Sequence, residues 1–367
     1  IPIDREGNVL ANTPIWMDTR AQSICDRLNQ EIGQEEIFEV AGNSLQPSYS
    51  TAKILWYKEN LPEVYAKIYK ILQSNSYIAF KLTGAVTQDV SQGYGLHCFN
   101  MKKGCWDEKM CKRLGIPMEF LPEICDCDHV VGTVTGKAAA ECGLVEGTPV
   151  VAGGLDAACG TLGAGVIHSG ETQEQGGQAG GMSICTEEYK ADPRLILSYH
   201  VVPGKWLLQG GTTGGGGVMR WFEREFADYE RMMKEQTGVS SLDQLNKIAE
   251  KVGPGCEGMV FLPYMSGERS PIWNPYAKGV FDGLDFAKTK GHMVRACMEG
   301  ESAPAGRGCA AGLPVQNRAK NNKSAYGLAT EFSQLHHTLI VIVPASQRNV
   351  KPSAPADSAS FFCGFAP

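Results

Sequence analysis

Apolar residues recur along the chain at intervals that point to its elements. Between 16 and 40, Ile24, Leu28, Ile32 and Ile37 stand near a 3.6-residue period, which sets one face of a helix against a core. Residues 51–82 hold two further amphipathic stretches. One centres on Ile54, Leu55 and Trp56, the other on Ile68, Ile71 and Leu72, and Leu61-Pro62 breaks the pattern between them. The β-branched run TPVVA (148–152) predicts a buried strand entering Gly153-Gly154, and AACGTLGAGV follows as a helix of small residues. A second glycine-rich zone begins at Gly170. There EQGGQAGGMSIC (174–185) falls between expected strands, and WLLQGGTTGGGGVMRWF (206–222) passes from a strand through glycines into a helix. A polar helical stretch covers roughly 223–251. Strand, glycine turn and helix in this order make the chain an α/β protein.

The pattern fades after about Gly300. Residues 301–367 are dominated by Ala, Ser, Pro and Asn, with one β-like run, TLIVIVP (338–344), and six basic residues against three acidic ones. Such a segment is a poor candidate for a packed element and is expected to be a poorly ordered tail foreign to the fold.

Composition narrows the classes. A length of 367 residues allows two domains of ordinary size, and 43% hydrophobic with 20% charged residues is normal for a globular chain. The net charge of −6 supplies no basic field for nucleic acid. No apolar run reaches the roughly 20 residues that span a bilayer, so no membrane partner is expected. Thirteen cysteines without a CxxC read as reduced thiols in a cytoplasmic protein, and Cys125-Asp126-Cys127 lacks a second pair at metal-binding spacing. Ile1 opens into IPIDREGNV without a leader, as a chain beginning in mid-protein would.

The candidate chemistry centres on VVAGGLDAACGTLGAG (150–165). Asp156 lies where a helix cap would stand, and also where α/β proteins bind ligands at a strand's C-terminal end. It is therefore either a cap or a base that accepts a hydroxyl proton. The run has neither the G-x-G-x-x-G order nor a Walker A lysine. Gly176, Gly177, Gly180 and Gly181, and then Gly214–Gly217 before a helix, suit phosphate better, since glycine lets the backbone and helix N–H groups approach an anion. Cys159 reads as a packing residue, because His168 and His200 could reach it only through the fold. In IWMDTRA (15–21), Trp16, Asp18 and Arg20 offer an apolar plate with alternating polar groups, an arrangement that suits a sugar.

In this order the segments resemble the FGGY carbohydrate kinases, on the xylulokinase-like side. IWMDTRA looks like the family's Trp-x-Asp-x-Arg segment. SYSTAKILWYKEN (48–60), with Lys53 and Trp56 in place, is similar to its first signature. LTGAVTQDVS (82–91) resembles the Leu-Thr-Gly…Asp-x-Ser segment, and FLPYMSGERSPIWNPYAKGVFDGL with HMVRACMEG (292–300) the second signature. The resemblance implies ATP-dependent phosphorylation of a sugar hydroxyl, pentulose-type, on a two-domain actin-like, ribonuclease-H-like fold incomplete at both ends. Residues 1–164 would be part of the sugar-binding domain and 165–300 part of the ATP-binding domain.

The resemblance implies site residues too. Asp156 would be the general base, with Trp16, Asp18, Arg20 and Asp89 at the sugar and Gly177, Gln178, Gly180 and Gly216 at the nucleotide. ATP and Mg²⁺ are the expected cofactors without a dedicated metal site in the chain, and a homodimer is compatible with it. Departures qualify the match. Gly177-Gln178-Ala179-Gly180 lacks the usual hydroxyl residues, and Val90 follows Asp89 where the glycerol-kinase branch has Tyr, which argues against glycerol. The N-terminal Asp-x-Gly-Thr motif is absent, and the second nucleotide motif has no counterpart in 301–367. Little or no kinase activity is therefore expected of this chain by itself. The alternatives are a non-catalytic sugar- or nucleotide-binding relative and, more weakly, a thiol enzyme built on Cys159.

Overall fold

A computed structural model describes residues 1–310, so that of the tail expected over 301–367, residues 311–367 lie outside the described residues. The N-terminal half is mainly helical. Helices α1 (Gln22–Leu28) and α2 (Gln34–Ala41) flank a π-turn, Asn29–Gly33. They are followed by α3 (Ser50–Asn60), α4 (Pro62–Tyr65), α5 (Ser74–Thr83), α6 (Glu108–Leu114), α7 (Gly136–Cys142) and α8 (Asp156–Gly163). Short strands come between: β1 (Pro2–Ile3), β2 (Lys70–Ile71), β3 (Thr87–Asp89), β4 (Phe99–Asn100), β5 (Cys105–Trp106), β6 (Glu123–Cys125), β7 (Val130–Thr133) and β8 (Pro149–Val151). β3 pairs with β6 in parallel, and β7 with β8 antiparallel.

The C-terminal half opens with β9 (Thr172–Gly176), β10 (Gly180–Thr186), β11 (Ile196–Tyr199) and β12 (Trp206–Thr212), an antiparallel sheet in the order β11-β12-β10-β9. Helices α9 (Gly217–Phe226), α10 (Asp228–Thr237) and α11 (Ser241–Ala249) follow, then the hairpin of β13 (Val260–Leu262) and β14 (Val280–Asp282). The last element is α12 (Lys290–Ala310), so the break expected at Gly300 falls inside a helix.

The periodic residues do build a core. Ile24, Leu28, Ile37, Ile54 and Leu55 are buried together with Met110 and Leu114, and Ile32 and Trp56 pack against them. Two expectations need correction. The helix predicted from 16 starts at Gln22, and Gly33, with φ of +100°, divides it where only glycine sits without strain. Ile68, Ile71 and Leu72 belong to β2 and its flanks, where Lys70–Ile71 pairs with the first strand instead of turning as a helix. The burial these residues require is met all the same, since the same core takes Ile68 and Ile71.

Two clusters cross the boundary expected at 164/165. Phe99 and Met101 pack with Leu195, Leu197, Trp206 and Leu208, and Leu155 and Ala158 pack with Cys185 and Leu207. Strand β11 is a sheet edge, and Asn43 satisfies it. Its Nδ2 donates to the Leu197 carbonyl and its Oδ1 accepts from the Leu197 N–H, both at 2.9 Å. One buried amide thus stands in for a further strand and joins the two halves.

Candidate active site

Strand β8 delivers the chain to a sharp junction. Gly153 has φ of +78°, in the left-handed region that favours glycine, and a Cβ on Gly154 would stand 2.5 Å from Val201 Cγ1. The backbone can therefore turn tightly from strand into α8. Asp156 is the first residue of that helix, with Leu155 at the cap position. Its Oδ1 accepts the neighbouring Ala157 N–H at 2.8 Å, the one hydrogen bond of this side chain among the described residues. The side chain is exposed, so its remaining acceptor capacity is open to a ligand.

Behind this junction stands Asp89, with no exposed surface. Its carboxylate accepts from Asn75 Nδ2 at 2.7 Å, the Gln92 N–H at 3.1 Å, Cys127 Sγ at 3.6 Å and the Ser91 hydroxyl. Burial raises its pKa, and these donors pull the other way. Ser91 Oγ in turn accepts the Leu155 N–H at 2.8 Å, and Asn75 Nδ2 also reaches the Ala152 carbonyl at 3.3 Å. Asp89 thus holds both sides of the Gly153-Gly154 turn from inside. Cys159 lies on the same helix, its thiol pushed up to about 11 by burial and by the charges of Asp89 and Asp156. A thiol held in the protonated state is a poor nucleophile, in keeping with a packing role.

The Trp16 segment forms a separate wall. Arg20 folds back on Asp18, with Nε at 2.9 Å from Oδ1, and its guanidinium lies 4.8 Å from the Trp56 ring centroid. Burial raises the Asp18 carboxyl, but hydrogen bonds from Arg20 and its charge carry it below the usual range. Lys53 is buried and donates to the carbonyls of Ile15 at 2.7 Å and Ser48 at 2.9 Å. The signature lysine thus pins the Trp16 segment to the loop before α3, and burial lowers its pKa to about 8.

A shallow cleft opens between Trp16, Gln46 and Ser48 on one side and Glu268, Arg269 and Trp273 on the other. Arg269 lies 5.4 Å from the Trp16 ring centroid. Sequence reasoning left Arg269 without a role, although its motif, MSGERSP, was part of the second signature. Tyr94 meets Tyr49 edge to face, with ring centroids 5.5 Å apart, and packs against the cluster that holds Leu155 and Ala157.

The two glycine loops meet. The β9–β10 hairpin turns at Gly177-Gln178-Ala179, and its tip rests on Gly214–Gly217 at the start of α9. A Cβ on Gly215 would stand 2.4 Å from the Ala179 carbonyl carbon, and one on Gly216 2.8 Å from the Gly177 oxygen. Gly180 takes its place at the start of β10, opposite Thr212. The Gln178 carbonyl accepts the N–H groups of Gly215 at 3.1 Å and Gly217 at 3.3 Å. A phosphate at the α9 N-terminus would have to take those two donors from it. Glu268 braces the same loop, accepting from Thr212 Oγ1 at 2.7 Å and the Thr213 N–H at 3.1 Å. Among the described residues no group of three or more His, Cys, Asp or Glu could hold a metal, and no helix is long and apolar enough to cross a membrane.

Comparison with known proteins gives this arrangement a place. The chain is 30% identical over 301 residues to a gluconokinase of Bacillus licheniformis, covering 82% of this chain and 59% of the relative. It is also 30% identical over 300 residues to a xylulose kinase of Bacillus subtilis, covering 81% and 58%. Among solved structures, the xylulose kinase from Rhodospirillum rubrum matches with a TM-score of 0.69 at 30% identity, over 82% of this chain and 59% of that one. The ligand-bound xylulose kinase from Lactobacillus acidophilus matches with 0.73 at 27% identity, over 84% and 61%. The chain spans less than two thirds of the length of these relatives, and it shares their two-domain actin-like, ribonuclease-H-like fold. Residues 1–163 match the N-terminal domain of the FGGY family of carbohydrate kinases and residues 180–311 its C-terminal domain. The chain belongs to the FGGY family of carbohydrate kinases.

Proposed function

We propose that the protein to which this chain belongs is a cytoplasmic kinase that transfers the γ-phosphoryl group of ATP to a hydroxyl of a small sugar. The observation that carries this reading is the exposed Asp156 at the first position of the helix that follows a strand–Gly–Gly junction. Asp156 is the general base. Ala157 orients one of its oxygens, and the open carboxylate accepts the proton of the sugar hydroxyl as that oxygen attacks phosphorus. Trp16 offers its face to the sugar, and the Asp18–Arg20 pair stiffens the segment that carries it. Asp89 serves the site from beneath, by holding residues 152–155. ATP supplies the phosphoryl group. Gly177, Gln178, Gly180 and Gly216 form the region for its phosphates, and Mg²⁺ would arrive with the nucleotide, since such ions use one or two carboxylates plus phosphates.

One observation favours a second reading, a non-catalytic binder of sugar. The Gln178 carbonyl already occupies two N–H donors that a phosphate would use. Asp156→Asn separates the two readings. Phosphoryl transfer to xylulose or gluconate, followed by ADP release, should fall by about 10²–10⁴-fold while sugar affinity is retained. An unchanged rate in the variant would remove Asp156 as the base. Sugar binding without any transfer by the unmodified protein would favour the second reading.

A further inference from the structure

Glu268 stands between the glycine loops and the cleft beside Trp16, and its carboxylate holds both. The residue is 5% exposed and lines the cleft, as does Thr213. Toward the loops, Oε2 accepts from Thr212 Oγ1 at 2.7 Å and Oε1 from the Thr213 N–H at 3.1 Å. Thr212 in turn touches both loops. It pairs with Gly180 across the sheet, and its hydroxyl accepts the Gly214 N–H at 3.3 Å. Toward the cleft, Glu268 Oε1 also accepts the Arg269 N–H at 2.7 Å, and the Arg269 guanidinium lies 5.4 Å from the Trp16 ring centroid. A second tie runs alongside, from Thr213 Oγ1 to the Gly267 carbonyl at 2.5 Å. The far end of the segment is pinned elsewhere. Ser270 Oγ and Trp273 Nε1 donate to the Arg194 carbonyl at 2.7 Å and 3.1 Å. Residues 267–269 are thus a short link, fixed at one end and bound at the other to Thr212 and Thr213.

We propose that Glu268 couples the two ligand sites of the proposed kinase, so that nucleotide at the glycine loops tightens sugar beside Trp16 and sugar tightens nucleotide. The inference rests on that kinase reading and adds to it a positioning residue that acts through its neighbours. Phosphate at the start of α9 draws the N–H groups of Gly215 and Gly217 away from the Gln178 carbonyl. That shift carries the adjoining Gly214 and, through its hydroxyl contact, Thr212. Glu268 follows, because staying behind would break charge-assisted hydrogen bonds, which are about twice as strong as neutral ones. The 267–269 link then moves, and Arg269 changes its place over the Trp16 indole. A carboxylate suits this task, since it only accepts, and three donors from separate residues converge on its two oxygens. The rearrangement is made once and serves whichever ligand arrives second, which makes the two affinities interdependent.

Calorimetry of the full chain with xylulose, with ADP and Mg²⁺, and with each in the presence of the other tests this without requiring turnover. Bound ADP should tighten xylulose about tenfold, and xylulose should tighten ADP by the same factor. Glu268→Gln removes the charge and turns an amide nitrogen toward the Thr212 hydroxyl. Each ligand alone should then bind within about twofold of its original affinity, while the mutual tightening falls to about twofold or less. Thr212→Val, which deletes the hydroxyl, should act in the same way, and Thr212→Ser, which keeps it, should restore the tightening. Circular dichroism separates a lost link from a lost fold. Should Glu268→Gln unfold the chain, the two Thr212 variants decide the matter. Weaker binding of each ligand alone with the tightening intact would mark Glu268 as a structural brace and overturn the inference. Independent binding of the two ligands to the unmodified protein also overturns it, and either result leaves the kinase reading standing. Failure of xylulose or ADP to bind at all counts against the kinase reading itself, and this inference falls with it.

Discussion

A carboxylate with no exposed surface must be satisfied where it stands, and Asp89 is satisfied by four donors drawn from three segments of chain. Asn at this position would keep one acceptor oxygen and turn its other end into a donor facing donors. Asp89→Asn should therefore cost about 1–3 kcal/mol in urea unfolding, and the loosened turn at 152–155 should lower phosphoryl transfer along with it. A variant as stable as the parent would show that the network is not holding the junction. At this scale the sequence speaks unevenly. Asp156 is readable from its surroundings, because a strand, two glycines and a small-residue helix are contiguous. Asp89 is readable as a motif member but not as a buried one, since its partners Asn75 and Cys127 come from other elements. Arg269 is legible only as a letter in MSGERSP. Its place over the Trp16 ring is a property of the fold.

Elements were legible wherever a local period or a turn residue decides them. The helices around Ile24 and Ile54, the strand before Gly153 and both glycine loops stand near where the pattern predicts them. The misreadings lie where a neighbour overrules propensity. Ile68, Ile71 and Leu72 keep helical spacing, yet Lys70–Ile71 is taken as a strand by Pro2–Ile3. The phosphate role expected of the glycine loops is a separate matter, and what the sequence left unread there is that their glycines also serve each other. Gly215 lies against the Ala179 backbone, and the Gln178 carbonyl caps the start of α9. Gly215→Ala would drive a methyl group to 2.4 Å from the Ala179 carbonyl carbon, so the hairpin tip has to move. A loss of about 1–3 kcal/mol is expected, with faster hydrogen exchange confined to residues 176–180 and 214–218. Unchanged protection there would mean that the loops do not depend on this contact.

Across the whole molecule, apolar clusters join the halves, and protonation sets stability inside one of them. His97 is fully buried within the N-terminal half. Its Nδ1 pairs with Thr51 Oγ1 at 2.9 Å and its Nε2 with the Ser44 carbonyl at 3.2 Å, an arrangement that fits the neutral ring. Burial lowers its pKa from 6.5 to about 4. Below 6.5 the unfolded chain takes up a proton that the folded one refuses, so stability is lost as pH falls from about 6.5 toward 4. The loss is about 3 kcal/mol by the lower end of that window, and urea midpoints between pH 7 and 4.5 should record it. His97→Gln should flatten the slope, and a parent slope retained in the variant would assign it to other groups. What the sequence determined by itself was the local grammar: helix period, glycine turns, and the ordered motifs of a sugar kinase family, all set by residues a few positions apart. Only the tertiary structure decided which carboxylate faces solvent and which is sealed beneath it, and that a guanidinium near residue 270 lies over an indole near residue 16. Burial and charge pairing are sums over neighbours in space, and those neighbours come from segments that nothing along the chain places together.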